Sequence, residues 1–503
     1  MIPSLMAATF LLATAAALLF TPLVRRVAVQ LDFVDHPDAH RKVHRKSTAM
    51  GGGIAVMAAT AVAVGAAIIL SSDIRSVFSS RSREFSAIAV AVCLLAFVGL
   101  ADDLYRLRAR YKLLGQLVAA TVVAISGLSF ERLSFAGFST GLGWLAVPLT
   151  VAWLVTCINA VNLIDGSDGL ASVVGIVLAG TIACTSWTLN NPASALVALG
   201  LAGALIGFLR YNAPPASIFL GDTGSMTIGL LAGALSIQSH TKSAAGYALL
   251  APLAMWIIPM MDVGMAIVRR KLTGRGISTT DRSHLHHCLL ERGFTSWQLL
   301  GFVGGLCAFC GLGGWLSVRY SNSWFAIMSS AAVVGYLVCK RYFGHAEFQL
   351  ARHHFAHLGR QVWRWGGDDR RLPWQIQVRI QGVRPWEDLW AFLVEAAEEL
   401  QVRQLTLDLN LPWLHEGYHA SWARPAAGHN EIAPRLTWPL ISGDRNIGTL
   451  TIVGASAQEH LMWLEKLLEF LSELQDRLPH AEAAPESFST AESSDDFVAV
   501  RKK

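Results

Sequence analysis

The sequence predicts an α-helical polytopic membrane protein, with about eleven transmembrane helices and a small C-terminal α+β cytoplasmic domain. Hydrophobic residues make up 53% of the 503 positions and charged residues only 15%, too few charges to cover a soluble protein of this length. Apolar runs of about the length that crosses a bilayer, roughly 20 residues, recur eleven times before residue 341. The same composition excludes disordered, collagen-like and disulfide-scaffold proteins.

The apolar runs set the order of the predicted membrane helices. We place the spans near 3–24, 51–70, 85–101, 113–128, 143–160, 170–189, 194–210, 224–238, 246–268, 297–318 and 323–340. The first run is interpreted as a retained helix, since Arg25 and Arg26 follow it, whereas a signal peptide has its positive charges before the apolar run. Lys and Arg residues concentrate in alternate loops, which are therefore predicted to be cytoplasmic. Eleven spans then place the N-terminus outside and the C-terminus inside.

The chain changes character after Arg341, where acidic residues begin to outnumber basic ones. Alternating apolar and polar residues predict strands, and an apolar stripe predicts a final helix. The expected order is strand 375–381, helix 385–401, strands 404–410, 435–441 and 447–453, and helix 457–477. The predicted domains are a membrane-embedded domain at 1–343, a cytoplasmic domain of unknown role at 344–480, and a disordered tail at 481–503.

Four polar motifs interrupt the apolar pattern, all on the predicted cytoplasmic face. Carboxylates at the ends of apolar helices are costly unless they are paired, metal-bound or functional. Several such groups on one face therefore predict a functional site. The motifs are Asp102-Asp103, the stretch from Asn159 to Leu170 that reads NAVNLIDGSDGL, the Gly221–Ser225 turn that reads GDTGS, and the Asp281–His287 loop that reads DRSHLHH.

The residue types in these motifs suit phosphate chemistry. Asp and Asn oxygens are the ligands that Mg²⁺ prefers. Basic side chains nearby in the sequence, Lys112 and Arg269 among them, can neutralise phosphate oxygens. Phosphoryl transfer depends on positioning, a metal ion and charge stabilisation more than on covalent catalysis. The sequence contains no Walker A loop, HExxH helix or GxSxG elbow.

In this order the motifs resemble the polyprenyl-phosphate N-acetylhexosamine-1-phosphate transferases of glycosyltransferase family 4. The resemblance covers about residues 20 to 340. It also includes Arg41-Lys42-x-His44 followed by Gly51–Gly53, and Tyr111-Lys112 and Gln116 after the Asp-Asp pair. Bacterial members of this family start cell-envelope glycans such as lipopolysaccharide O-antigen and cell-wall teichoic acid.

The resemblance implies transfer of an N-acetylhexosamine 1-phosphate from a UDP-sugar to undecaprenyl phosphate, with release of UMP. The first choice of sugar is GlcNAc. The cofactor it implies is Mg²⁺, with Mn²⁺ as the alternative, held by Asp222 and Asn162. The implied catalytic residues are Asp102, Asp103, Asp165 and His284. The implied substrate-binding residues are Lys112, Asn159, Asp168, Arg269, Arg282, His286 and His287.

Two flanking loops depart from the family pattern and leave the donor sugar open. The stretch 276–280 lacks the usual Ser-Pro-Phe, and 47–49 lacks the usual Pro. Purely structural interpretations also stay open. Asp102-Asp103 could cap a helix, Asp165 and Asp168 could form Asx turns, and the histidines could contact lipid headgroups.

Other classes of protein fit the sequence less well. A transporter is the main rival, since it would also use carboxylates in membrane helices. The modest net charge of +5 gives no case for a nucleic-acid partner. The glycan pathway, the oligomeric state (a homodimer among the options) and the partner of the C-terminal domain stay open.

Overall fold

The structure is a computed structural model that describes fourteen stretches of the chain. These are residues 2–35, 47–130, 132–135, 138–240, 250–272, 284–346, 348–349, 374–381, 386–400, 402–411, 416–424, 435–442, 445–454 and 470–472. The chain forms two compact units. One comprises Met1–Ile267 and His284–Phe343, and the other Val268–Ser283 and Gly344–Lys503.

Thirteen helices are described before residue 344. Their bounds are α1 Ile2–Gln30, α2 Gly52–Leu70, α3 Ser72–Ser80, α4 Ser82–Tyr105, α5 Ala109–Ile125, α6 Ala146–Ile164, α7 Leu170–Thr188, α8 Pro192–Asn212, α9 Gly221–His240, α10 Leu250–Leu272, α11 Leu285–Glu291, α12 Ser296–Arg319 and α13 Trp324–Cys339. Two short antiparallel pairs accompany them, β1 Val34–Asp35 with β2 Thr48–Ala49, and β3 Arg132–Phe135 with β4 Phe138–Gly141.

Among the described residues, eight helices are long and apolar enough to cross a membrane. They are α1, α2, α4, α6 with the turn before it, α7, α8, α10 and α12. This confirms the helical polytopic class, while the count of eleven spans and the orientation stay predictions. Of the other predicted spans, α5 and α13 have only 17 and 16 residues. Helix α9 has 20 residues but begins with the polar turn Gly-Asp-Thr-Gly-Ser.

Glycines let the membrane helices approach backbone to backbone, as is common in membrane proteins. A Cβ atom on Gly203 of α8 would lie 2.3 Å from the Phe10 carbonyl oxygen of α1. One on Gly207 would lie 2.5 Å from the Thr14 carbonyl oxygen. Thr14 adds a hydrogen bond from its hydroxyl to the Gly203 carbonyl, 3.1 Å long. Helices α1 and α8 therefore form a close pair that a larger side chain would separate.

Glycines also allow α2 and α4 to pack closely against the first turn of α9. A Cβ atom on Gly53 of α2 would lie 2.2 Å from Gly224 Cα, and one on Gly99 of α4 would lie 2.5 Å from Thr223 Cα. The Gly53 amide also donates to the Leu220 carbonyl oxygen, 2.9 Å away. The Gly51–Gly53 motif thus serves to fix the position of the turn that carries Asp222.

The second unit contains a five-stranded antiparallel sheet, which confirms the predicted C-terminal α+β fold. Its strands lie in the order β5-β7-β6-β9-β8. The elements are β5 Trp374–Gln381, α14 Trp386–Glu399, β6 Gln404–Leu411, β7 Glu416–Ala423, β8 Arg435–Ser442 and β9 Arg445–Val453. Trp390 of α14 is fully buried against the apolar side of the sheet. Apart from 470–472, the predicted final helix at 457–477 lies outside the described residues, as does the predicted disordered tail.

Strand β7 was missing from the sequence prediction. It lies between β5 and β6, and seven of its eight residues are buried. Tyr418, Ala420 and Trp422 enter the apolar core. On the opposite side His419 lies 3.5 Å from Asp408 of β6. Polar residues on a buried face hid the strand, because burial on both sides normally gives a continuous apolar run.

Candidate active site

Three charged side chains from three helices meet at the end of α4. Asp102 lies in the last turn of α4, Lys112 near the start of α5 and Asp222 in the first turn of α9. The Lys112 ammonium donates to Asp102 Oδ2 at 3.1 Å and also contacts Asp222 Oδ2. One lysine thus bridges two carboxylates that the sequence separates by more than a hundred residues. The structure brings these three predicted site residues together.

Asp103 has a different environment from its neighbour Asp102. Its Oδ1 accepts the Asp222 amide at 2.8 Å, and its Oδ2 accepts both the amide and the hydroxyl of Thr223, at 3.1 and 2.8 Å. The first N–H groups of a helix have no partner within it. Asp103 supplies that partner to α9 from another helix. Gly221 just before has φ +74°, and a Cβ there would lie 2.8 Å from Asp103 Oδ2.

Asn162 completes the contacts of Asp222. Its amide nitrogen donates to Asp222 Oδ1 at 2.7 Å and to the Ser225 hydroxyl at 2.9 Å. Asn159, one turn earlier on α6, donates instead to Gln116 Oε1 at 2.7 Å. Asn159 therefore joins α6 to α5, and in this structure its amide nitrogen serves helix packing.

The Asp165–Gly169 loop connects α6 to α7 beside this cluster. Desolvation within the protein raises the pKa of Asp165 well above its ordinary value, and the charges of Asp222, Asp103 and Asp168 raise it further. Asp168 Oδ2 accepts the Ala216 amide at 2.9 Å, so this acid joins the loop to the segment between α8 and α9. This contact is distant in the chain and differs from a local Asx turn. Gly169 takes φ +74° at the start of α7, a conformation that favours glycine.

One of the predicted site histidines, His286, packs against the same loop, and two others lie next to it. A Cβ atom on Gly166 would lie 2.7 Å from His286 Nε2, so this ring packs directly against the loop. The rings of His284 and His286 are nearly parallel, at 8°, with centroids 6.1 Å apart, and the His287 ring lies 4.2 Å from that of His286. Burial, with a smaller effect of His287, lowers the pKa of His286 to about 3. His286 is therefore neutral at physiological pH.

Two predicted substrate-binding residues, Arg269 and Arg282, stay predictions. Arg269 is buried, 2% exposed, but belongs to the second compact unit. Arg282 lies outside the described residues, as do Arg41, Lys42 and His44.

The candidate site residues taken from the sequence did not include Thr223, Ser225 or Asp262. The first two stand inside the GDTGS motif, where their hydroxyls bond Asp103 and Asn162. Asp262 is 1% exposed within α10 and accepts the Leu285 amide at 2.9 Å. A carboxylate inside an apolar helix is itself a signal, because burying it is costly.

The chemistry of the donor set fits Mg²⁺. The site has five carboxylates, of Asp102, Asp103, Asp165, Asp168 and Asp222, and Lys112 contacts two of them. Half-buried acids that lie this close together favour a divalent cation, and Mg²⁺ typically takes only one or two protein carboxylates. No group of three His, Cys, Asp or Glu side chains arranged for a metal ion occurs within the described ranges. The Asn162 amide points its nitrogen at Asp222, so ligation through its oxygen requires the amide to turn over. The metal assignment stays a prediction.

Fold and site together define a multi-pass membrane protein with a cluster of acids, amides and one lysine at its helix ends. Residues 85–240 match the family model described as glycosyl transferase family 4. The chain is 34% identical over 307 residues to a probable undecaprenyl-phosphate N-acetylglucosaminyl 1-phosphate transferase of Bacillus subtilis (strain 168), a match covering 59% of this chain and 83% of that relative. The chain therefore belongs to glycosyl transferase family 4, and the resemblance seen in its motifs is confirmed.

Further relatives extend the likeness within the family. A decaprenyl-phosphate N-acetylglucosaminephosphotransferase of Mycolicibacterium smegmatis is 35% identical over 298 residues, covering 54% of this chain and 72% of the relative. A phospho-N-acetylmuramoyl-pentapeptide-transferase of Shouchella clausii is 30% identical over 332 residues, covering 61% of this chain and 97% of the relative.

Proposed function

We propose that this protein transfers GlcNAc 1-phosphate from UDP-GlcNAc to undecaprenyl phosphate and releases UMP. The observation that carries the proposal is the bridge from Lys112 to Asp102 and Asp222, with Asn162 on the other Asp222 oxygen. The names of the B. subtilis and M. smegmatis relatives, polyprenyl-phosphate N-acetylglucosamine 1-phosphate transferases, support the same reaction.

The proposed reaction is a displacement at the β-phosphorus of the UDP-sugar. An oxygen of the lipid phosphate forms the new P–O bond, the bond to the bridging oxygen breaks, and UMP leaves with that oxygen. A lipid phosphate is largely ionised near pH 7, since the second pKa of a phosphate monoester is about 6. The acceptor therefore needs orientation more than deprotonation, and Asp102 serves by orienting the Lys112 ammonium toward phosphate oxygens.

Asp222 and Asn162 are the residues that would hold Mg²⁺, with Mn²⁺ as the alternative. When bound, the ion neutralises charge on the diphosphate and makes UMP a better leaving group. Asp103 contributes through the backbone, because its hydrogen bonds to the Asp222 amide and to Thr223 fix where the Asp222 carboxylate points. Asp103 is thus a positioning residue in this proposal.

The donor side of the site is assigned to the Asp165–Gly169 loop and the histidines. Asp165 and Asp168 shape the pocket for the nucleotide sugar, while Arg282, His284, His286 and His287 contact its phosphates. His286 is neutral, so it would bind a phosphate oxygen through a hydrogen bond and not as a cation.

The proposed setting is the cytoplasmic face of the inner membrane, with eleven spans, the N-terminus outside and the C-terminal domain inside. The distribution of Lys and Arg between alternate loops supports this orientation. The transporter alternative has no support from the comparisons, since the relatives reported above are transferases. Initiation of a cell-envelope glycan follows from the proposed lipid product.

Incubation of the purified protein with undecaprenyl phosphate and a panel of UDP-sugars tests the proposal. We expect a lipid product with the mass of undecaprenyl diphosphate carrying one N-acetylhexosamine, formed fastest with UDP-GlcNAc and lost in EDTA. UDP-GalNAc and dideoxy analogues establish the sugar preference. Absence of any sugar-phosphate lipid from a well-folded preparation supplied with Mg²⁺ would overturn the proposal.

A further inference from the structure

A buried carboxylate of α10 fixes the start of the short helix that carries the histidines. Asp262 Oδ1 accepts the Leu285 amide at 2.9 Å and lies 3.4 Å from His284 Nδ1. Leu285 is the first residue of α11, and His284 before it is extended, with φ −79° and ψ 155°. The His284 side chain makes no capping hydrogen bond at this end of the helix. Asp262 therefore supplies the cap from another helix.

The position of His286 depends on this backbone anchor. His286 is 3% exposed, and neither of its ring nitrogens has a hydrogen-bond partner in the part of the chain that the structure describes. Hydrogen bonds of the ring therefore do not hold it in place there. The α11 backbone and packing position the His286 ring. The ring packs against Gly166, where an added Cβ atom would lie 2.7 Å from His286 Nε2.

We propose that Asp262 is a positioning residue for binding of the nucleotide sugar. It fixes the start of α11, α11 places the His286 ring against Gly166, and the ring holds the Asp165–Gly169 loop in the shape that receives the donor. This inference rests on the proposed function for its substrate, but its geometry stands on its own. Asp262 touches neither substrate nor metal in this account and acts through His286.

Steady-state kinetics of three variants measure the effect. Asp262→Ala should raise the KM for the UDP-sugar by about tenfold, with the KM for undecaprenyl phosphate within about twofold of wild type. Asp262→Asn keeps an oxygen that can accept the Leu285 amide and should remain within about threefold of wild type, since Asn and Asp are comparable caps. Glu84→Gln is the matched control, a carboxylate of α4 that accepts from Gln238. It should leave both KM values unchanged.

A substitution at Gly166 displaces the His286 ring without changing Asp262. Gly166→Ala introduces a Cβ that His286 must yield to, and should raise the donor KM as Asp262→Ala does. Gly264→Ala is its control in α10, where a Cβ meets nothing within 4 Å. An unchanged donor KM in both Gly166→Ala and folded Asp262→Ala would overturn the proposal, as would an effect of Asp262→Asn as large as that of Asp262→Ala.

Chemical accessibility of His286 separates this inference from the reaction itself. Diethyl pyrocarbonate modification, located by peptide mass, should be slow at His286 in the wild type and in Asp262→Asn, and at least about fivefold faster in Asp262→Ala, because the capped turn loosens. Equal rates in wild type and a monodisperse Asp262→Ala would overturn the anchor. If the proposed function fails, turnover is absent from every variant while this difference in modification persists.

Discussion

The carboxylate centre, formed by Asp102, Asp103, Lys112, Asn162 and Asp222, and the histidine segment 284–287 approach the Asp165–Gly169 loop by different means. In the centre, oxygens of Asp102, Asp103 and Asp222 meet described donors. In the histidine segment the most buried ring, that of His286, is neutral and packs against Gly166. Ion pairs and hydrogen bonds of carboxylates thus organise the carboxylate centre, whereas ring packing organises the histidine segment.

Both regions nevertheless use the same anchoring device. Asp103 of α4 caps α9, and Asp262 of α10 caps α11. In each case a carboxylate from one helix accepts a backbone amide at the start of another. In α9 the capped residue, Asp222, itself carries the site carboxylate, and in α11 the residue after the capped Leu285 is His286. The comparison teaches that an acid in such a site can act on the backbone, so its presence alone does not make it a catalytic residue.

The largest expected effect belongs to the carboxylate centre. Asp222→Ala should lower turnover by at least about a thousandfold, because it removes the proposed metal ligand and the partner of both Lys112 and Asn162. Mg²⁺ should raise the Tm of the wild type and not that of the variant, since only a ligand bound to the folded state stabilises it. Turnover assays and thermal melts with Mg²⁺ or EDTA check both outcomes.

Asp73→Ala is the matched control for this substitution, because Asp73 also lies in the first turn of a helix, α3. It should leave turnover and the Mg²⁺ effect unchanged. Full activity of Asp222→Ala, or of the wild type in excess EDTA, would remove the metal from the account.

Substitutions of Asp102 and Asp103 should both lower turnover, but only the substitution of Asp103 should also lower stability. Each change to Asn should lower turnover by at least about 100-fold. Asp103→Asn should also destabilise the protein by about 1 kcal/mol, because both carboxylate oxygens accept hydrogen bonds and the amide offers only one oxygen, which leaves a donor of α9 without its acceptor. Asp102→Asn should leave the Tm close to wild type. Equal Tm values for the two variants would argue against the capping role.

The histidine segment should make stability depend on pH. The folded-state pKa of His286, about 3, lies below its unfolded value of about 6.5, so the unfolded chain binds more protons between these limits. Stability from this residue is fully present above about pH 6.5 and is lost as the pH falls toward 3, at roughly 1.4 kcal/mol per pH unit. His286→Gln should flatten this loss in melts between about pH 5 and pH 8. A variant with the slope of the wild type would show that another group titrates.

The smallest expected effect follows removal of the C-terminal segment, residues 345–503, which comprises the predicted cytoplasmic domain and the tail. A chain ending near Gly344 should keep transfer within about threefold of wild type, because the predicted motifs for metal, diphosphate and acceptor all precede Glu291. Product formation by equal amounts of purified, monodisperse protein measures this. A folded, membrane-inserted truncation without transfer, restored by adding residues 345–503 back, would show that the C-terminal segment completes the site.

The long membrane helices could be predicted from the sequence because each is a long apolar run. The site motifs could be predicted because their acids interrupt those runs. The different contacts of Asp102 and Asp103 could not be predicted from the sequence, in which the two residues are neighbours. Successive residues on a helix point about 100° apart, so neighbours in sequence face different helices. The roles of Asp262 and of strand β7 depend on partners distant in the chain, Leu285 for the one and β5 and β6 for the other.

One measurement tests the central claim, that a sugar phosphate is transferred at the carboxylate centre. UDP-GlcNAc radiolabelled at the β-phosphate distinguishes transfer of sugar phosphate from transfer of sugar alone. With undecaprenyl phosphate and Mg²⁺, the account predicts that the label enters the lipid fraction, that the released nucleotide is unlabelled UMP, and that Asp222→Ala gives neither product. Label recovered in UDP, or label in lipid at an undiminished rate with Asp222→Ala, would contradict it.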